Sequence, residues 1–129
     1  QDGLQTADAS GQLSIIREMV HYIQKNHAKK ISLDDIAAAG NVCKSKCCSL
    51  FHRYLNQTPV NYLIRYRLDQ SIGLMTSTDM NITQISYEVG FSGTSYFSET
   101  FRRHFGCSPM QYRKRALECD QKGADLTPF

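Results

Sequence analysis

The sequence predicts an all-α fold: seven helices forming two helix-turn-helix subdomains joined by a long connecting helix. Three observations carry that expectation. Apolar residues recur at helical spacing, and no alternating β-branched run is long enough to build a sheet. Only three prolines interrupt 129 residues, and two of them stand where they open helices. Finally, one helix–glycine–helix pattern occurs twice. The first copy carries Leu33, Ile36, Ala37, Gly40, Val42 and Cys43, then Phe51, Pro59 and Tyr62. The second carries Ile82, Ile85, Ser86, Gly90 and Ser92, then Phe101, Pro109 and Tyr112. The offset is 49 up to Cys43/Ser92 and 50 from Cys47/Phe97 onward, so one residue near Gly93 is extra. A constant offset with one insertion at a turn marks two copies of a supersecondary unit. A glycine-containing turn between two helices is the helix-turn-helix signature.

Residues 1–11 are polar and aperiodic and read as a disordered linker or tail. The first subdomain is expected over 12–57. Its first helix, about 12 to 27, places Leu13, Ile16, Val20 and Ile23 on one face. Ser32 caps the next helix, with Asp34 and Asp35 opposing the helix dipole in its first turn. Gly40 ends that helix, since glycine takes the left-handed conformation a turn needs. Cys43, like Ser92 in the second copy, stands as a capping residue. The helix that follows, about 44 to 55, buries Cys47, Leu50, Phe51 and Tyr54 at i, i+3, i+4 and i+7.

Thr58-Pro59 and Ser108-Pro109 present the favoured order of cap and first helical residue. The connecting helix, 58–76, contains no breaker and reads as a rigid rod. The second subdomain spans 77–118: Asn81 caps, Ile82, Ile85 and Val89 face inward, and Gly90 closes the helix. A helix from about 94 to 105 buries Phe97, Phe101 and Phe105, and a last one runs from Pro109 to about Glu118. Residues 119–129 read as a disordered tail.

The formal charge of +3 is unevenly placed. Residues 44–115 hold ten Lys/Arg against four Asp/Glu, whereas 116–129 hold one against three. A basic body suits a polyanionic partner. Five cysteines, odd in number and two of them adjacent, fit a reduced, cytoplasmic setting. Cys43, Cys47, Cys48 and His52 cluster in sequence, but their spacing is not that of a metal site, so no metal and no cofactor is expected. There is no glycine-rich phosphate loop, no HExxH and no nucleophile elbow, which argues against an enzyme.

In a helix-turn-helix the second helix enters the major groove and its first half reaches base edges. The outward face of helix 44–55 holds Ser45, Ser49 and His52, flanked by Lys46, Cys48 and Arg53. The matching face of helix 94–105 holds Ser95, Glu99 and Arg102, flanked by Thr94, Ser98 and Arg103. Small hydroxyl residues let the backbone approach the groove, and arginines further along meet phosphates. Lys44, Lys46, Arg53, Arg65, Arg102 and Arg103 are the expected phosphate contacts.

The run from Ile85-Ser86-Tyr87-Glu88-Val89-Gly90-Phe91-Ser92 through Ser95-Tyr96-Phe97-Ser98, Phe101-Arg102-Arg103, Phe105-Gly106, Ser108-Pro109 and Tyr112-Arg113 closely resembles the C-terminal signature of the AraC/XylS family of bacterial transcription regulators. Ser32-Leu33, Ile36-Ala37 and the Tyr62 to Arg67-Leu68 segment resemble it too, and the likeness covers roughly residues 12–116. The resemblance implies seven helices, and bases read by Ser45, Cys48 and Ser49 in one unit and by Thr94, Ser95, Ser98 and Glu99 in the other. Ser49 and Glu99 depart from the arginine of some relatives. Glu99 is then an acceptor for a cytosine amino group or a source of repulsion toward phosphate. Cys47 replaces a larger apolar residue. The resemblance further implies double-stranded DNA as partner, RNA polymerase as a second, and a separate sensing or dimerisation domain in the full-length protein, with no membrane. The expected function is sequence-specific DNA binding as the output domain of a transcription activator, reading two adjacent major-groove segments. The alternatives are a protein-interaction module contacting RNA polymerase and a thiol- or metal-responsive switch.

Overall fold

The computed structural model describes residues 2–126, with side chains placed for 11–118. Among the described residues every regular element is a helix: α1 (Asp2–Asn26), α2 (Leu33–Ala39), α3 (Lys44–Leu55), α4 (Pro59–Ser77), α5 (Ile82–Glu88), α6 (Thr94–Phe105) and α7 (Pro109–Leu126). The chain divides into two compact units, Gln1–Tyr66 and Arg67–Phe129, and the division falls inside the uninterrupted helix α4.

In the first unit, Ser32 accepts from the Asp35 backbone N–H while Asp35 accepts from that of Ser32, a reciprocal capping box that starts α2. The core gathers Ile16, Met19 and Ile23 of α1, Ile36 and Ala37 of α2, Cys47, Leu50 and Phe51 of α3, and Leu63 of α4. One expectation for α1 fails here. Leu13 is exposed, and Met19 takes the central place on the buried face.

In the second unit, Asn81 and Gln84 form the equivalent capping box on α5. Its core holds Leu68, Met75, Ile82, Ile85, Val89, Phe91, Phe97 and Phe101. The rings are continuous: Phe91 to Phe97 at 5.1 Å, Phe97 to Phe101 at 5.8 Å, and Phe101 to Tyr112 at 5.5 Å between centroids. These edge and tilted arrangements are favoured beyond the area they bury.

The terminal helices are longer than the sequence reading expects, since α1 starts at Asp2 rather than near 12 and α7 ends at Leu126 rather than near Glu118. Polar composition suggested tails, but neither stretch contains a proline, and extending a helix already nucleated costs little. The tail expectations for Gln1 and residues 127–129 lie outside the described residues.

The two turns show where the repeat is strict. Val42 N–H bonds Ala37 O at 3.0 Å, and Phe91 N–H bonds Ser86 O at 2.9 Å. Asn41 bonds Ala38 O, as Gly90 bonds Tyr87 O. All four pairs keep the 49 offset. On the far side, Cys47 bonds Cys43 O and Phe97 bonds Gly93 O, with offset 50. The inserted residue is therefore Ser92, and Gly93, not Ser92, is the N-cap of α6. Cys43 is the N-cap of α3, as expected, though its side chain makes no cap bond; the expectation for Ser92 is corrected, since that position passes to Gly93.

Gly40 ends α2 as expected, but not in the expected conformation. Its φ is −94°, and the left-handed residue of the first turn is Asn41 at 57°. Gly40 is required instead by proximity. A Cβ there would lie 2.7 Å from Cγ of Met19 and 2.9 Å from Cγ2 of Ile15, so glycine lets α2 close onto α1. In the second copy the left-handed residue is Gly90 at 103°, equivalent to Asn41. The same exchange recurs after each second helix, where Asn56 at 56° and Gly106 at 79° end α3 and α6. Asparagine tolerates this region among side-chain-bearing residues, so both copies keep the turn by different means.

Candidate nucleic-acid interface

Helix α3 buries Cys47, Leu50 and Phe51, which turns Ser45, Ser49, His52 and Arg53 outward. All four are exposed, as are Lys44 and Lys46, while Cys48 is half-buried at the margin. Helix α6 repeats this: Phe97, Thr100 and Phe101 face in, and Ser95, Glu99, Arg102 and Arg103 face out. Thr94 and Ser98 are half-buried. Thr94 also lies 3.5 Å from the hydroxyl of Ser86, so part of its hydrogen-bonding capacity already serves the turn. Arg65 is exposed too, but it stands on α4.

Several of these side chains have partners that the sequence did not announce. Lys44 pairs with Asp34 of α2 at 3.6 Å, both well exposed, a contact of small energetic weight. Arg53 reaches Oε1 of Gln12 at 3.5 Å and lies 5.9 Å from the Tyr54 ring centre. Tyr54 donates its hydroxyl to the same Gln12 oxygen at 3.1 Å. Gln12 thus steadies the C-terminal end of α3, and it is separated from Tyr54 by 42 residues. No spacing rule relates positions that far apart. Arg103 pairs with Glu99 at 3.3 Å.

Arg113 is the clearest structural residue that the sequence reading left unassigned. Its Nε donates to Met75 O at 3.1 Å, Nη2 to Thr78 O at 2.6 Å and Nη1 to Met80 O. Met75 lies in the last turn of α4, where carbonyls lack helical partners, and Thr78 and Met80 lie just beyond it. One guanidinium fork satisfies them and ties α7 to the approach of α5. Arg67, half-buried, places its guanidinium 5.9 Å from the Phe91 ring centre; burial lowers its pKa, opposed by Tyr96.

The cysteines do not converge. Cys43 is exposed, Cys48 half-buried and Cys47 buried, and all are free thiols. Burial, and secondarily Cys48, pushes the Cys47 thiol up to about 11, so it stays protonated and unreactive at neutral pH. Among the described residues no group of three or more His, Cys, Asp or Glu side chains is placed to hold a metal ion. Among them, too, no helix is long and apolar enough to cross a membrane.

Two helix pairs, closed by the same bonds and presenting polar faces at matched positions, make a duplicated helix-turn-helix. Residues 36–115 match the family described as helix-turn-helix domain. A solved transcriptional regulator with an AraC-type DNA-binding domain, from Chromobacterium violaceum, superposes with a TM-score of 0.76 at 32% identity, covering 82% of this chain and 95% of that one. The chain belongs to the AraC-type helix-turn-helix family. It is the DNA-binding domain of a transcription regulator.

This AraC-type domain is 39% identical over 99 residues to the uncharacterised HTH-type transcriptional regulator YdeC of Bacillus subtilis (strain 168), covering 77% of this chain and 34% of that protein. It is 33% identical over 98 residues to the lactose operon transcription activator of Staphylococcus xylosus, covering 76% and 35%. The chain therefore spans about a third of the length of these curated relatives. The family match begins inside α2 and ends inside α7, so it contains both turns, both outward faces and Arg113.

Proposed function

We propose that each unit of this domain lays its second helix, α3 or α6, into a major-groove segment of one DNA duplex. Ser45, Cys48 and Ser49 face the bases in one half-site, and Thr94, Ser95, Ser98 and Glu99 face them in the other. Lys44, Lys46, Arg53, Arg65, Arg102 and Arg103 contact phosphates. The observation that carries this reading is the equivalence of the faces. Positions 45 and 95, 49 and 99, 53 and 103 are exposed on the same side of equivalent helices whose opposite sides are fully packed. An ordinary solvated surface has no reason to be matched in this way.

By analogy with the lactose operon activator, the regulator is read as an activator, and RNA polymerase is proposed as its second partner. The greater length of the relatives supports a further sensing or dimerisation domain in the whole protein. DNA as target places its work in the bacterial cytoplasm, and no catalytic step is assigned to it. Selection of bound duplexes from a random library tests the reading. Recovery of two unlike half-sites is the expected result, and recovery of no sequence preference would overturn it.

A further inference from the structure

Positions 49 and 53 of α3 correspond to 99 and 103 of α6 under the 50-residue repeat. Each pair stands one turn apart on the outward face, where i and i+4 residues meet. The arginine is shared, as Arg53 and Arg103. The residue one turn earlier is not. In α3 it is Ser49, and Arg53 turns to Gln12 and the Tyr54 ring. In α6 it is Glu99, whose Oε1 holds Nη2 of Arg103 at 3.3 Å. Glu99 is the single acid on either helix: α3 offers three Lys/Arg and no acid, α6 two arginines and this glutamate.

A carboxylate on a surface that faces DNA is costly unless it meets a donor. Phosphates repel it, and so do the acceptors of the major-groove edges, N7 and O6 of guanine and O4 of thymine. Cytosine is the base that offers an amino donor there with no neighbouring acceptor of its own. Glu99 lies in the first half of α6, the part of such a helix that reaches base edges, while Arg103 lies further along, where the backbone passes. Both side chains are about 70% exposed, so the pair between them is weak and opens readily.

We propose that Glu99 determines the specificity of the second unit. Its carboxylate accepts from the amino group of a cytosine in that half-site, and the weak pair opens to leave the Arg103 guanidinium for the adjacent phosphate. The first unit, with serine at the equivalent position, has no carboxylate with which to select cytosine at its own matching base. This inference rests on the proposed placement of α6 in the groove.

The test is selection from a random duplex library with the wild-type domain and with E99Q, E99A and R103A. Glu99 and Arg103 are exposed, and unchanged circular dichroism and melting will confirm that the variants fold. The wild type enriches cytosine at one position of one half-site. E99Q moves that position to adenine, which glutamine reads through N6 and N7. E99A loses about tenfold or more of the discrimination there and binds unrelated duplex more tightly. R103A keeps the cytosine preference and loses affinity. The other half-site is unchanged throughout. If all four proteins select the same base, Glu99 is not the determinant, although the two-groove reading stands. If E99A keeps the preference and R103A loses it, the assignment is overturned in favour of Arg103. A wild-type domain that selects no sequence overturns both readings.

Discussion

Gly40 packs so closely on Met19 that the first unit has no room for one additional methyl group between α2 and α1. Gly40→Ala is therefore expected to destabilise this unit by about 1–3 kcal/mol, the usual cost of overpacking. Gly73, on the exposed side of α4, has nothing within 4 Å of an added Cβ. Gly73→Ala is expected to stabilise by roughly 0.5–1 kcal/mol through helix propensity alone. Urea unfolding of the two variants separates proximity from propensity. Equal midpoints would mean that α1 and α2 do not approach as described.

The left-handed residue after each second helix gives a different contrast. An added Cβ at Gly106 meets no neighbour, so Gly106→Ala isolates the backbone cost of φ +79°, about 1–2 kcal/mol. Asn56→Gly, which installs in the first copy the residue the second uses, is expected to change stability by only a few tenths of a kcal/mol. A large loss in Asn56→Gly would show that the asparagine side chain contributes more than tolerance of the turn.

Arg113 bonds three carbonyls through three nitrogens. Arg113→Ala leaves them without partners and is expected to cost about 2–4 kcal/mol, since bonds to charged donors are the stronger kind. Lysine keeps the charge but lacks the planar fork, so Arg113→Lys is expected to recover less than half of that. Thermal unfolding of the three proteins measures it, and full rescue by lysine would reduce Arg113 to a general cation.

Alkaline pH provides a test of the buried thiol. The folded pKa of Cys47 is raised to about 11 from an ordinary value of 9.0. The unfolded chain releases this proton first, so the unfolded state binds fewer protons between these values and stability falls as pH rises. The loss begins near pH 9 and levels off above about 11, approaching 1.4 kcal/mol per pH unit at its steepest. Below pH 9 the contribution is fully present. Cys47→Ala should flatten this limb in a series of denaturant melts at pH 8 to 11, whatever its effect at neutral pH. An identical slope in the variant would assign the limb to other groups.

DNA binding should weaken steeply with salt, because each phosphate contact releases counterions and contributes ~0.9 to the slope of log K against log salt. Lys46→Ala, on the exposed face of α3, is expected to flatten the slope by about one contact without changing the selected sequence. Ser45→Ala with Ser49→Ala should change preference in one half-site only. Inserting roughly 5 bp between the half-sites moves one of them half a turn around the duplex. Binding that survives the insertion undiminished would mean that one unit alone engages DNA.

Helix existence and the two caps were legible in the sequence because they depend on local spacing. Ser32 and Asn81, with an acceptor three residues on, could form little else. The outward faces were legible too, since Cys47, Phe51, Phe97 and Phe101 fix which side is inward. What escaped was tertiary. Gly40 ends α2 at the turn, as its place in the sequence suggests, but it is glycine for want of space rather than for a left-handed backbone, and only the position of Met19 tells which applies. Met19 outranked Leu13 because burial on α1 follows the neighbouring helices, not the best-spaced stripe. Gln12, Asp34 and Arg113 gained their roles from contacts 10 to 42 residues away, for which a single sequence contains no pattern.

The insertion of Ser92 has a consequence for how such a domain is rewritten. It falls between two sets of bonds that are identical in both copies, so the added residue changes the turn's length without changing its closure. On the proposed reading, the outward residues of α3 and α6 are a removable lettering on a common frame. Transplanting Thr94, Ser98 and Glu99 onto the matching positions of α3, where Ser45 and Arg53 already agree with Ser95 and Arg103, is expected to alter what the first helix spells while leaving Cys47, Leu50 and Phe51 to hold it in place.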